Sequence, residues 1–257
     1  MAVYEVVDKQ SIAPLFDGWP ETMIWSYLQD CMGMAYADDR HHPLSALISL
    51  GDFCFFAGRV NDELVCHVPG NLHSDFAIFV PQNQLWADAI ARCHGDRAVP
   101  RMRYATKKEP GVFDESLLQD FVSRLSPEYE LRMIDRGLYE QIVSLAWAGD
   151  LCSNYSCYEE YQRFGLGVVA LKSGEIVSGA SSYTSYPGGI EIEIDTRVDE
   201  RRRGLALACG AMLILESLDR GLYPSWDAHN KGSLALAEKL GYCFDKEYLV
   251  CEVSGLG

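Results

Sequence analysis

The sequence predicts a mixed α/β fold whose second half holds a mostly antiparallel sheet and a buried helix. Three observations predict it. Residues 167–198 read as strand, turn, strand, turn, strand, an antiparallel meander. Residues 204–220 are apolar nearly all round, as in a helix covered on every side. Another strand follows at once, and strand, helix and strand over about thirty residues make a βαβ crossover.

The chain has 257 residues, enough for one large or two modest domains. A turn at Lys107 to Asp114 and a polar stretch from Ser126 put the expected boundary near residue 125. This separates a mixed α/β domain at 1–125 from a second domain at 126–257. In the first, Glu21 to Cys31 reads as a helix with Trp25, Leu28 and Met32 on one side. Ala46 to Val60 reads as strands interrupted at Gly51 and Gly58, and Phe76 to Val80 as a short strand. Gln84 to Cys93 is expected to be a helix and Ala98 to Tyr104 a strand. No motif in this half carries a recognisable chemistry.

In the second domain, helices are expected at Leu138 to Ala148 and Tyr158 to Phe164. The meander then runs through Gly167 to Leu171, Glu175 to Tyr183 and Ile190 to Val198, with turns at Ser173–Gly174 and Tyr186–Gly189. In its last strand Ile190, Ile192 and Ile194 face one way, and Glu191, Glu193 and Asp195 the other. Gly221 closes the buried helix. Leu222 to Ala228 is a strand, Asn230 caps a helix running to Leu240, and Cys243 to Val253 is a closing strand.

Hydrophobic residues make up 48% of the chain, so a core can be buried. A net charge of −15 argues against nucleic acid as a partner, because phosphate binding needs a basic face. Residues 1–8 lack the pattern of a secretion signal, and the apolar run at 204–215 is too short to span a bilayer. No membrane partner is therefore expected. The nine cysteines form no C-x-x-C pair and read as free thiols of a cytoplasmic protein. The adjacent His41 and His42 point to different sides, so no metal site is expected.

The chemistry concentrates in the turn from Val198 to Ala206. A helix start leaves backbone N–H groups without partners and carries partial positive charge, which suits a phosphate. Gly204 lets an anion come close to the backbone, and Arg201, Arg202 and Arg203 add charge. Basic residues at a helix start oppose its dipole, so local stability does not explain them. No G-x-x-x-x-G-K-[S/T] loop is present, which argues against a nucleotide hydrolase.

Arg201, Gly204 and Ala206 fit the R/Q-x-x-G-x-G/A signature of GNAT N-acyltransferases, which the chain resembles. A second run, from Asn230 through Ser233, Leu236 and Gly241 to Tyr242, resembles the family's N-x-x-S/A-x-x-L-Y-x-x-x-G-F segment. Residues 193–196, 223–227 and 236–241 are also similar to the subfamily named for zwittermicin A resistance acetyltransferases.

The resemblance implies a GNAT fold with a splayed strand pair flanked by helices, and acetyl-CoA as co-substrate without a metal. Backbone amides at Arg201, Arg202, Arg203, Gly204, Leu205 and Ala206 would cradle the CoA pyrophosphate. Asn230 and Ser233 would lie along the CoA arm, and a donor between Thr196 and Val198 would face the thioester oxygen. The acceptor would be a small-molecule amine, such as an antibiotic-like one, and the acidic strand face suits a cationic amine. Glu193, or in second place Glu191, would take the amine's proton. Ala237 stands where the family often has a tyrosine acid, with Tyr183, Tyr242 and Tyr248 as substitutes. A CoA-binding module without turnover is the alternative. In that alternative residues 1–125 would provide an interaction surface; under either reading they could be a lid, a homodimer surface or a degenerate GNAT-like copy.

Overall fold

The computed structural model describes residues 2–72 and 74–256. The chain divides into two compact units, Met1–Arg103 with Glu247–Gly257, and Tyr104–Lys246. The boundary expected near residue 125 falls within the second unit.

The first unit contains β1 (Tyr4–Glu5), α1 (Thr22–Leu28), β2 (Met34–Ala37), β3 (Ser45–Leu50), β4 (Phe53–Gly58), α2 (Asp62–Val65), β5 (Phe76–Pro81) and α3 (Gln84–His94). The strand β6 (Ala98–Thr106) begins in it and ends in the second unit. β1 to β4 pair antiparallel in chain order, and β5 lies parallel to β4. Phe56 packs against Phe79 and Trp86 at ring separations of 4.9 and 5.4 Å, under α3. The helix α1 stops at Leu28, short of the expected Cys31, because Asp30 turns to positive φ.

The second unit contains α4 (Glu115–Ser123), β7 (Tyr129–Met133), α5 (Arg136–Ile142), α6 (Tyr158–Phe164), β8 (Gly167–Lys172), β9 (Glu175–Tyr186) and β10 (Gly189–Thr196). It continues through α7 (Leu205–Asp219), β11 (Tyr223–Ser225), β12 (Asp227–Ala228) and α8 (Lys231–Lys239) into β13 (Phe244–Ser254), which returns to the first unit. Its five-stranded sheet runs β11-β10-β9-β8-β7 and is antiparallel except at β10–β11. The predicted mixed α/β fold is observed.

The buried helix is explained by its sequence. Leu205, Ala208, Cys209, Ala211, Leu213 and Ile214 all enter the core. A Cβ at Gly210 would come within 2.8 Å of Leu240 and 3.0 Å of Ile194, so only glycine permits this approach of α7 to its neighbours. Two expected elements of this unit were also too long. The helix expected through Ala148 ends at Ile142, where the Ser144 hydroxyl donates to Gln141 O at 2.6 Å and competes with the helix ladder. The strand expected through Val198 ends at Thr196, and Val198 opens a 3-10 turn.

The two units repeat one order of pairing. In each, a three-strand antiparallel meander is followed by a helix and by a strand parallel to the last meander strand (β2–β3–β4–α2–β5 and β8–β9–β10–α7–β11). Among the described residues no helix is long and apolar enough to cross a membrane.

Candidate active site

The site is built at the end of β10 and the start of α7. Helix α7 opens at Gly204, which has φ 84° and ψ 0° and supplies no capping side chain. The first helical bond runs from Ala208 N–H to Gly204 O at 3.0 Å, so the amides of Leu205, Ala206 and Leu207 precede the ladder. Arg202 also has positive φ, 65°. Left-handed residues among these amides turn their N–H groups toward one side, as in an anion nest. A Cβ at Gly204 would meet no heavy atom within 4 Å, so the space in front of the turn is open. Beside it lies a hollow of about 190 Å³ lined by Phe121, Arg124, Leu125, Arg203, Gly204 and Leu207.

The three arginines differ. Arg203 is drawn back to Glu200, Nε to Oε2 at 3.2 Å. Glu200 is a buried carboxylate that also accepts from the Tyr129 hydroxyl at 2.6 Å and Lys172 Nζ at 2.9 Å. These two hydrogen bonds, Tyr129 first, hold its carboxyl below the usual glutamate range. The network ties the turn to β7 and β8. Arg201 donates from Nε to Thr196 O at 3.2 Å, and both Arg201 and Arg202 are exposed. They are the arginines best available to an incoming anion.

Next to the turn the sheet forks. β11 pairs with β10 only from Gly189 to Glu191, the last step being Glu191 against Ser225. The chain then leaves, and Asp227 and Ala228 pair with Ala105 and Tyr104 of β6. The single strand expected over 222–228 is therefore two short strands with Trp226 between them. β10 itself continues to Thr196 along β9. Glu191 stands at the fork, 4% exposed, and its Oε1 accepts the Asp227 N–H at 2.7 Å. That bond serves an amide which the departing strand takes away from β10.

The alternation read from the sequence holds. Ile190, Ile192 and Ile194 pack into the core with α7, which leaves Glu191, Glu193 and Asp195 on the opposite face. Glu193 is half-buried. Asp195 was not singled out by sequence, yet its carboxyl is pushed up to about 6, by burial and then by the charge of Asp150, while Arg201 opposes. Asp150 belongs to the turn Gly149–Leu151, which packs on β9 and β10. Beyond it a cleft of about 370 Å³ is lined by Tyr139, Val143, Gly149, Ser153, Tyr155, Ser156 and Cys157.

The other expected residues are placed as follows. The Thr196 hydroxyl meets Ser178 Oγ at 2.7 Å, and Val198 lies outside the strand, 73% exposed. Asn230 caps α8, its Oδ1 accepting from the amides of Gly232 and Ser233 at 2.8 and 3.0 Å. Ala237 is fully buried in the core. Among the tyrosines, Tyr242 is buried and donates to Pro224 O at 2.6 Å, and burial raises its hydroxyl pKa well above 10. Tyr183 is buried, and Tyr248 belongs to the first unit. No group of three or more His, Cys, Asp or Glu that could hold a metal ion occurs among the described residues.

Among the described residues of the first unit, the corresponding crossover helix offers no equivalent cradle. Its crossover helix α2 has four residues, its start is capped by Asn61 Oδ1 accepting from Glu63 and Leu64 N–H, and it carries Asp62 and Glu63 in its first turn. Capped amides and two carboxylates disfavour an anion there.

Comparison with known proteins identifies the family. The family described as GNAT acetyltransferase matches residues 13–251. The chain is 28% identical over 272 residues to the uncharacterized N-acetyltransferase YdfB of Bacillus subtilis (strain 168), covering 97% of this chain and 98% of that one. A GCN5-related N-acetyltransferase-like protein from Streptococcus suis 89/1591 is 48% identical, with a TM-score of 0.90 over 95% of this chain and 98% of the other. A tandem GNAT protein from the clavulanic acid biosynthesis pathway shares the fold at 12% identity, with a TM-score of 0.58 over 100% and 99% of the two chains. With a family match that spans both units, this chain belongs to the GNAT acetyltransferase family.

Proposed function

We propose that the chain moves the acetyl group of acetyl-CoA to the amino group of a small molecule, by direct attack of the amine on the thioester. The observation that carries this reading is the uncapped start of α7, with Arg201 and Arg202 exposed beside open space at the end of the forked strand β10. The amides of this turn and the two arginines would hold the diphosphate of the donor. The edge of β10 beyond Glu191, which β11 leaves uncovered, would receive the pantetheine arm.

An amine must lose a proton before it can attack. A lysine-like amine with pKa about 10.4 is neutral in only about one part in two thousand at pH 7. The acidic face of β10 supplies the acceptor, with Glu193 as the first candidate and Glu191 as the second. Asp195, held near pKa 6, keeps further negative charge on that face and favours a cationic acceptor. The leaving thiol has a pKa near that of cysteine, about 8.5, so it can depart as thiolate without a tyrosine acid. This fits the commitment of Tyr242 to Pro224. The runs at residues 193–196, 223–227 and 236–241 support the zwittermicin A resistance-type subfamily, and with it an antibiotic-like amine.

The test is thiol release from acetyl-CoA across a panel of amino sugars, peptidic amines and polyamines. Turnover with at least one amine is expected. Tight CoA binding without thiol release from any amine would refute acetyl transfer to a small amine. With an active amine in hand, Glu193→Gln and Glu191→Gln are compared by the pH profile of kcat/KM. The true acceptor is the one whose loss removes the acidic limb.

A further inference from the structure

The first unit brings two cysteines from separate helices together. Cys66 closes the C-terminal end of α2, and Cys93 lies in the last turn of α3. Both are free thiols, and the Cys66 thiol lies against the Cys93 thiol within hydrogen-bonding reach. Residues 67–92, with all of β5 among them, separate the two in the chain, so only the fold makes them neighbours.

Contacts on both sides hold the pair in place. The Arg92 guanidinium pairs with the Asp62 carboxylate. His94 Nε2 donates to Val65 O at 2.9 Å. Both chain neighbours of Cys93 are thus bound to the α2 segment that leads into Cys66. Leu64 and Val65 of α2 share one core cluster with Ala89 and Ile90 of α3, and Cys93 packs against it. A disulfide requires two cysteines held at short range without backbone rearrangement, and these contacts supply that.

The two thiols differ in access. Cys66 is exposed and Cys93 partly buried. Burial, and then the contact with Cys66, pushes the Cys93 thiol up to about 11. Cys93 therefore rests as a protonated thiol, and an oxidant meets Cys66 first. Once Cys66 is capped, it can no longer oppose ionisation of Cys93. An exposed thiol with a second thiol beside it is the arrangement of a reversible redox pair. No third His, Cys, Asp or Glu completes a metal-binding group among the described residues, so the pair suits oxidation better than metal binding.

We propose that Cys66 and Cys93 are a reversible oxidation site, a dithiol that a small-molecule disulfide converts to an intrachain disulfide joining α2 to α3. The Cys66 thiolate attacks one sulfur of the oxidant, which forms a mixed disulfide and releases one small thiolate. Cys93 gives up its proton, and its sulfur attacks Cys66 Sγ. The Cys66–Cys93 bond forms, the mixed disulfide breaks, and the second small thiolate leaves. The protein thiols lose two electrons and two protons, which turn the small disulfide into two thiols. Excess thiol reverses the exchange. The new bond closes a loop over residues 67–92 and restricts the unfolded chain more than the folded one. Neither cysteine belongs to β10, α7 or the turn between them, so the inference stands apart from the acetyl-transfer reading.

The test equilibrates the full chain with glutathione disulfide and reduced glutathione in varied ratio. Free thiols are then trapped by alkylation, and the peptides are mapped by mass spectrometry. A peptide pair joined through Cys66 and Cys93, and released by dithiothreitol, is expected. The oxidised protein should melt on the order of 5 °C above the reduced one, and Cys66→Ser and Cys93→Ser should abolish this rise. Cys93→Ser should also retain glutathione on Cys66, because the second attack is lost. Since Cys66 is exposed, Cys66→Ser should fold as the wild type does, and its reduced Tm checks this. Wild-type protein that keeps glutathione on Cys66 with Cys93 free, or in which neither thiol reacts, overturns the proposal. So does a crosslink formed without a rise in Tm, because the folded protein would then have to distort to make it.

Discussion

Gly204→Glu tests the CoA turn most directly. A Cβ at this position meets nothing within 4 Å, so the new side chain can be housed without displacing the core. It would extend into the open space in front of Leu205 and Ala206, where the diphosphate is proposed to sit. Two unit charges about 4 Å apart repel by roughly 4 kcal/mol at a near-surface dielectric of about 20. Salt and side-chain freedom reduce this by roughly half, to about 2 kcal/mol, which is a loss of about thirtyfold in affinity. The positive φ of 84° adds a separate cost to folding, roughly 1 kcal/mol for a non-glycine residue.

Gly204→Ala carries the folding cost without the charge and serves as the control. Titration calorimetry with CoA should show the thirtyfold or greater loss for Gly204→Glu, and a smaller one for Gly204→Ala. S-Acetylpantetheine, which has no diphosphate, should bind all three proteins alike. Undiminished CoA affinity in a folded Gly204→Glu protein would refute the placement of the diphosphate.

Three further outcomes follow from the same geometry. Arg201→Ala and Arg202→Ala should each weaken CoA roughly tenfold and flatten its salt dependence, whereas Arg203→Ala should act more on Tm because Arg203 is bound to Glu200; calorimetry at two salt concentrations and thermal melts check this. Asp195 has a folded pKa of about 6, above the unfolded value of about 3.9. The unfolded chain therefore ionises first, and the wild type loses stability as pH rises from about 4 to 6. Asp195→Asn should not show this loss, and should gain on the order of 1 kcal/mol over wild type between pH 4.5 and pH 7.5, after allowance for partial exposure. For Glu200 the sign is opposite: its folded pKa is depressed, so its contribution is complete above the ordinary glutamate range and fades as pH falls through the folded value. Glu200→Gln should lower Tm at pH 7, with the difference shrinking toward pH 3.

Much of the second unit could be read from local pattern. The isoleucine and acid alternation of residues 190–195 assigns the two faces of β10, and the all-round apolar helix after Gly204 must be buried. Both are short-range consequences of side-chain periodicity, and both hold in the structure. The arginine-rich turn was visible for the same reason, because a helix start is a local event. The first unit was legible as elements, and as a copy of the second only as one of three readings that local pattern could not separate. Its repeat is one of strand order, carried by residues such as Phe53 to Gly58 and Phe76 to Pro81 that share no motif with their counterparts.

What only the tertiary structure decided concerns groups that meet from distant parts of the chain. Nothing near Glu200 in sequence announces Tyr129 and Lys172, which approach it from two other strands. Leu222 to Ala228 looked like one strand because each residue suits one, yet the choice of partner divides it at Trp226. Glu191 and Glu193 are equivalent in the alternation, and separate only because β11 departs beside Glu191. Thr184 and Ser225 come to flank that carboxylate solely through register. Periodicity follows from the backbone of a single segment and so is written in the sequence, whereas desolvation, pairing and the splitting of strands depend on which segments become neighbours.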